Sequence, residues 1–451
     1  MSSLRTGVLR RADVRALWFG ETVSELGSTV SSLAIPLVAV VTLHAGAFAT
    51  SILIAAAWLP WVLIGLPAGA WVDRLPARRV MIAADLLSVL AFASVPVAAW
   101  LGVLTLGQLL ACALLGGCAA VFFQTSYQVF LPSLLDGDEL ASANALMHGS
   151  QSAAQVGGPG LAGLLATAVG AVFGVLLNAV SFLVSAACLL SLRDGERPQP
   201  TRERASLGQE IAEGARFVAR DPYLRILTIW GGLSNFALIG YQAVLIVFLV
   251  HDARLSAGLV GLLVALTSVG GIAGAALAPR LGRRFGTARA FIGCELLAAP
   301  AALLIPLAGP GPRAALFAVG GFLVVAGVVG GNVLNATWTQ TYTPRELRGR
   351  VSTCSGLLNY GAIPLGALCA GVLASAFGTH DSIWITTSLL ALCPAVLLLS
   401  PLRGRRDFPK DPAARGSYPS ARRRRSSSRR ASAASRSCSV RLGSSSTNAE
   451  S

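Results

Sequence analysis

Four carboxylates, Glu21, Glu25, Asp85 and Glu295, stand inside long apolar stretches of this 451-residue chain. An ionisable group in such a setting is costly, so each is a candidate for chemistry. That chemistry is proton exchange: a carboxylate in a dry path holds a proton and releases it on rehydration. Glu21 and Glu25 are four residues apart, which puts them on one side of a helix. They are the proton-coupling candidates, with a salt bridge or a hydrated vestibule as their alternative roles. Asp85 and Glu295 occupy corresponding early parts of their stretches, where Arg78 or Arg79 and Arg289 are the expected partners. His148 adds an imidazole that either titrates near neutral pH or packs through a hydrogen bond. No nucleophile, base and acid gather at one depth, and the eight cysteines never form CxxC. Neither an enzyme site nor a metal or cofactor site is expected. A GxxxxGK[ST] loop is also missing, and the single lysine is Lys410, so ATP does not supply the energy.

The elements that must position these groups are membrane helices. Blocks of about 20 apolar residues match a hydrocarbon core of about 30 Å. Twelve occur, at 15–41, 48–70, 80–100, 104–126, 144–167, 170–191, 223–250, 257–279, 289–308, 314–338, 352–376 and 382–400. Their length and lack of alternation identify helices rather than barrel strands, so the fold class is an all-α polytopic membrane protein. With 54% hydrophobic and 13% charged residues, the chain leaves no room for a sizeable soluble domain. Of the 36 Arg and Lys residues, all but Arg254 and Arg313 fall at the N-terminus, in or beside alternate loops, or in the tail. The positive-inside rule then places both ends in the cytoplasm of a bacterial inner membrane. Loop charge explains the excess of +15 without nucleic acid. Polar side chains at plausible depth for a central apolar pocket are Gln151, Gln155, Asn178, Asn235, Tyr241, Gln242, Asn332, Asn335, Asn359 and Tyr360, with Trp58 and Trp61.

The spans divide six and six. A polar stretch from Arg193 to Asp221 separates residues 1–192 from 223–402, giving a linker at 193–222. Within it Leu207, Ile211, Ala215 and Val218 recur at helical spacing, which predicts either a short amphipathic surface helix or a plain tether. The halves echo each other: Phe123–Gln128 with Leu131-Pro132 parallels Asn335–Gln340 with Thr343-Pro344, and Ala162–Ala166 parallels Ala370–Ala374. Two repeated halves are the logic of alternating-access carriers. Residues 403–451 hold thirteen basic and three acidic residues amid Ser and Ala, a composition expected to stay disordered at the lipid surface.

Gly69-Ala70-Trp71-Val72-Asp73-Arg74-Leu75-Pro76-Ala77-Arg78-Arg79 resembles the signature loop of the major facilitator superfamily, with Pro76 where the family has a second glycine. Its counterpart, Pro279-Arg280-Leu281-Gly282-Arg283-Arg284, keeps the basic residues and lacks the aspartate. The resemblance implies two six-helix pseudo-symmetric bundles, with Gly69, Asp73, Arg74, Arg78, Arg79, Arg280, Arg283 and Arg284 forming a conformational gate. Gly157-Gly158-Pro159-Gly160-Leu161-Ala162-Gly163 resembles the superfamily's exporter motif, in which Gly157, Gly158, Pro159, Gly160 and Gly163 allow a bend and tight packing. Val14–Trp18, Val23–Gly27, Tyr127–Pro132 and Leu140–Leu146 are similar to the branch of macrolide-efflux-like proteins and enterobactin exporters. That branch implies a drug:proton antiporter, expected as a monomer, whose partners are a small amphipathic organic substrate, protons and membrane lipid. Import or uniport of a small solute, and a non-transporting sensor or scaffold, are the other readings the residues permit.

Overall fold

The computed structural model describes residues 11–72, 74–135, 137–192, 207–344 and 347–409. Among the described residues there is no strand. The first half contains α1 (Ala12–Leu37), α2 (Ala47–Leu63), α3 (Gly65–Val72), α4 (Ala77–Trp100), α5 (Leu106–Leu134), α6 (Gly137–Ala168) and α7 (Val172–Ser191). The short α8 (Leu207–Arg220) leads into α9 (Pro222–Val247), α10 (Ala257–Phe285), α11 (Thr287–Ala302), α12 (Ala314–Tyr342), α13 (Arg348–Phe377), α14 (Thr379–Leu392) and α15 (Pro394–Leu398).

Ten helical segments among the described residues are long and apolar enough to cross a bilayer. The other two expected spans take different forms. The 17-residue α2 ends at a break before α3, because Pro67 has no N–H for the carbonyl one turn back. The 32-residue α6 is long enough but less apolar, since His148, Gln151, Ser152 and Gln155 interrupt it. Helix starts follow ordinary capping: Thr105, Ser256 and Asp221 accept hydrogen bonds from backbone N–H groups one turn on.

The sequence echo is a structural repeat. In the first half α1 packs on α6 and α7, α4 on α5 and α7, and α2 on α5; in the second, α9 packs on α13 and α14, α11 on α12 and α14, and α10 on α12. Both α1 and α9 run on into a five-residue π-helical turn, Val38–Thr42 and Phe248–Asp252. Two residues after each turn the backbone goes left-handed, at His44 (φ 50°) and Arg254 (φ 52°). Asp85 and Glu295 stand in the same register as these pairs, each on the third long helix of its half.

The halves meet along two seams, α6 against α10 and α2 against α13. Close contacts lie away from the end where Arg74, Arg78, Arg79, Arg280, Arg283 and Arg284 collect, called here the basic end. At the first seam a Cβ on Gly163 would come within 2.7 Å of Gly261 Cα. At the second, Gly371 sits against Ser51 and Phe48, while Ala55, Ala243 and Ala367 form a small buried cluster. Small residues are what let helices approach this closely without a hydrophobic driving force in lipid.

The linker helix is docked. Phe217 and Val218 of α8 are buried, Gly214 lies against the Arg350 backbone, and Glu213 pairs with Arg350 of α13. Asp221 caps α9 and accepts a 2.7 Å bond from the Tyr342 hydroxyl of α12. Residues 403–409, grouped with the tail on composition, also pack on the second half. Asp407 accepts from Thr287 N–H, Trp338 Nε1 donates to Pro409 O, and Phe408 stacks on Trp338 at 4.8 Å. Gly286 (φ 93°) permits this, because a Cβ there would overlap the Arg406 carbonyl. The remainder of the tail, including Lys410, and linker residues 193–206 lie outside the described residues.

Candidate functional site

The site is located by polar side chains that are exposed where lipid would not tolerate them. On α6, His148, Gln151, Ser152 and Gln155 are all exposed and share one helical face. Gln124 and Gln128 do the same on α5, Asn332 and Gln340 on α12, and Ser352 and Tyr360 on α13. Amide groups have no partners in hydrocarbon, so these faces border a wet space between the halves. The two seams close that space at the far end.

Glu21 and Glu25 of α1 are half-buried. Gln151 of α6 is a hydrogen-bonding neighbour of Glu25. Glu21 senses the charges of both Glu25 and Asp85, and its Oε2 is buried with no hydrogen-bond partner among the described residues. The Tyr127 hydroxyl of α5, also unpartnered, lies near enough to feel Glu21. This group therefore joins α1, α4, α5 and α6.

Asp85 and Glu295 correct the expectation of surface ion pairs. Asp85 is 1% exposed and has Ser185 as its polar neighbour; Glu295 is 5% exposed and its Oε1 faces Gly331. Neither forms a salt bridge among the described residues. Arg78 instead donates to the Leu189 and Leu190 carbonyls, at 2.8 and 3.0 Å, at the C-terminal end of α7. A cation is stabilised there by the helix dipole and by carbonyls lacking intrahelical partners.

Trp58 and Trp61 of α2 meet Tyr360 of α13 across the second seam. Ring centroids are 6.1 Å apart for Trp58–Tyr360, nearly parallel, and 5.7 Å for Trp61–Tyr360. With a rise of 1.5 Å per residue, Glu25, Gln151, Asn235 and Tyr360 all lie about 18–21 Å from the basic ends of their helices. They form a belt at mid-membrane depth.

The other pocket candidates divide. Asn235 and Asn359 are half-buried: Asn235 donates to the Gly231 carbonyl, and Asn359 Oδ1 lies against Gly231 without a partner. Asn335 is half-buried beside Thr339, and Gln155 and Asn332 are exposed on the wet faces. Asn178 is 1% exposed and wedged against Gly27 of α1, so it serves packing within the first half rather than a pocket. Tyr241 is also buried, with Gln242 as its polar neighbour. Gln124 and Gln128 were legible from their i, i+4 spacing at the end of an apolar block, a signal obscured by reading them only as part of the repeat.

Asp73, the acidic member of the expected gate, lies outside the described residues. Arg74, Arg79, Arg283 and Arg284 are exposed at the basic end, where Arg280 donates to the Ala276 carbonyl. A Cβ on Gly69 would make no close approach, within 4 Å, to any described residue. The exporter-motif helix does have such approaches: Gly158 abuts Thr29 of α1 and Gly163 abuts Gly261, while Gly160 lies near Ala265 and Gly157 faces open space. The Pro159 carbonyl points at Gly261, 2.7 Å from where a Cβ would stand. Proline and glycine thus build the seal between the halves.

A family described as transmembrane secretion effector matches residues 5–423. The multidrug efflux pump Tap of Mycolicibacterium fortuitum is 29% identical over 403 residues, covering 86% of this chain and 94% of that protein. Tap of Mycobacterium tuberculosis is 30% identical over 396 residues, covering 84% and 91%. Among solved structures, the nucleoside transporter NupG superposes with a TM-score of 0.71 at 11% identity, over 85% of this chain and 98% of that one.

Proposed function

The chain belongs to the transmembrane secretion effector family of the major facilitator fold, and on that premise we propose that it exports a small amphipathic drug or secondary metabolite in exchange for protons. It crosses a bacterial plasma membrane twelve times, α2 with α3 and α6 supplying the two spans that length and composition leave uncounted, and both termini are cytoplasmic. Residues 1–192 and 223–402 are the two moving bodies, and the protein works as a monomer. The substrate enters from the cytoplasm or inner leaflet into the wet space at the basic end. The halves then rock, closing the basic end through the loop that holds Asp73, Arg74, Arg78 and Arg79 and its counterpart with Arg280, Arg283 and Arg284. The α6–α10 seal opens on the other side.

Glu25 carries the reading: a carboxylate at mid-depth, beside Gln151 on an exposed polar face, belongs to a path and not to a packing interface. When the site is dry it holds a proton, and when the site opens to water it exchanges one. Glu21 is the second proton position. Drug and proton then bind alternately, and the relatives named as multidrug efflux pumps support the outward direction.

A resistance and accumulation screen in a pump-deleted bacterium names the substrate and tests direction. Expression should lower cellular accumulation, and inverted vesicles should take the compound up only while the proton gradient stands. Uptake into intact cells, or transport indifferent to a protonophore, overturns the proposal.

A further inference from the structure

The strap gathers unbalanced positive charge at the basic end of the second half. Residues 280–289 and 403–409 together hold seven arginines and one acid, Asp407. Their backbones are in contact: the Arg406 carbonyl accepts from the Ala288 and Arg289 N–H groups, and a Cβ on Gly286 would overlap it. Around that contact stand Arg283 and Arg284 at the end of α10, Arg289 in the first turn of α11, and Arg405 and Arg406 of the strap. All five are exposed. Asp407 does little to offset them, because its carboxylate is engaged by the Thr287 N–H at the start of α11. Guanidiniums crowded in this way repel one another, and an anion between them removes the repulsion. The first-turn N–H groups of α11 are already taken by the strap, so side chains must hold that anion. Guanidinium suits phosphate best, through paired N–H···O bonds.

Below the charge, the surface is apolar and shallow. Arg289, Gly293 and Leu297 follow one another at intervals of four along one exposed face of α11. A Cβ on Gly293 would meet no described residue within 4 Å, so the glycine leaves a trough about 6 Å from the level of Arg289. Leu297 is 49% exposed, and Phe285 at the end of α10 is 51% exposed with the Arg284 guanidinium 5.5 Å from its ring. Exposed apolar side chains on a spanning helix face acyl chains, and the arginines above them stand at headgroup level.

We infer that this corner binds an anionic phospholipid of the leaflet at the basic end, its phosphate between Arg289 and Arg406 and one chain along Gly293 and Leu297. A zwitterionic lipid brings a cation that the same arginines repel. Occupancy would fasten the strap to α11. Arg405 stacks on Tyr223 of α9 at 5.3 Å, and Pro409 accepts from Trp338 of α12, so the lipid would steady the basic ends of three helices. The inference requires only that α10 and α11 cross a membrane, and it is independent of cargo and direction.

The test compares phosphatidylglycerol with phosphatidylcholine of identical chains, added to the purified full-length protein and counted by native mass spectrometry. Phosphatidylglycerol should bind saturably and at least about tenfold more tightly. The double variant Arg289→Gln with Arg406→Gln should lose about tenfold in that affinity. Its strap stays docked, since the Arg406 backbone and not its side chain makes the hydrogen bonds. Gly293→Leu should also weaken binding, by filling the trough without changing charge. Arg225→Gln, an exposed arginine of α9 outside the cluster, should bind like wild type. Equal binding of the two lipids, or undiminished binding in either the double variant or Gly293→Leu, overturns the site. An equal loss in Arg225→Gln would show diffuse attraction to a basic face. Displacement of the lipid by inorganic phosphate would reveal a site for free anions, and either result would also contradict the inference.

Discussion

Asp85 is a buried carboxylate with no cationic partner among the described residues, which distinguishes it from an acid held in a salt bridge. Breaking a buried ion pair from one side costs about 3–5 kcal/mol, because the partner charge is left stranded. Asp85→Asn strands nothing, so its thermal unfolding in detergent should differ from wild type by less than about 1 kcal/mol. A loss near the ion-pair range would show that Asp85 has a cationic partner after all. The residue scale is also where the sequence was least transparent. Arg78 and Asp85 are seven apart, two helical turns, and that spacing invites a pair. What decides otherwise is the packing of α4 on α7, which puts the Leu189 and Leu190 carbonyls within reach of Arg78. Asn178 and Tyr241 fail as pocket residues for the same reason: depth can be read along a chain, but the side of the helix that faces the path cannot.

At the scale of elements, the α6–α10 seal depends on glycine at facing positions. Gly261→Leu would drive a side chain into Gly163 and the Pro159 carbonyl. Overpacking of this kind costs about 1–3 kcal/mol. The strain falls only on the closed seam, so the variant should insert normally, favour the conformation open at the far end and lose export. Cysteine labelling at the far end should speed up, and unchanged labelling with full export would refute the seal. The linker gives a second element prediction. The hydroxyl of Tyr342 satisfies a buried carboxylate oxygen of Asp221, so Tyr342→Phe should lower stability by about 1–3 kcal/mol in a melting experiment. An unchanged melting point would mean that α8 is only a tether. Elements were read from the sequence better than residues: apolar block length marked the helices, and the amphipathic spacing in the linker marked α8. Its docking was not legible, because Phe217 and Val218 face the second half only once α13 and α9 are assembled. The strap at 403–409 was hidden by the basic composition that follows it, although Phe408 is an aromatic residue of the kind that packs.

At the scale of the molecule, two repeated bundles explain why the contacts cluster at one end. Two bundles joined along two seams pivot about them, so closure at one end goes with opening at the other. Single cysteines at Arg74 and Arg284 should react with an impermeant thiol reagent from the same face of the membrane, and cysteines at Gly102 and Arg254 from the opposite face. Finding Arg74 and Arg284 on opposite faces would dismantle the two-bundle arrangement. Asp73→Asn should cut transport strongly while leaving insertion intact; wild-type export by that variant would remove the gate. The repeat was visible in short motifs, yet its exactness, down to paired π-helical turns and matching left-handed residues at His44 and Arg254, emerges only from backbone geometry.

The most direct measurement is proton movement triggered by substrate. In proteoliposomes of known orientation, with a pH-sensitive dye inside and no imposed gradient, adding the exported compound on the side of the basic end should drive protons in the opposite direction to the drug. Glu25→Gln should bind the compound less well and move no protons. Drug transport by wild type with no accompanying proton signal, or an undiminished signal in Glu25→Gln, would contradict the account.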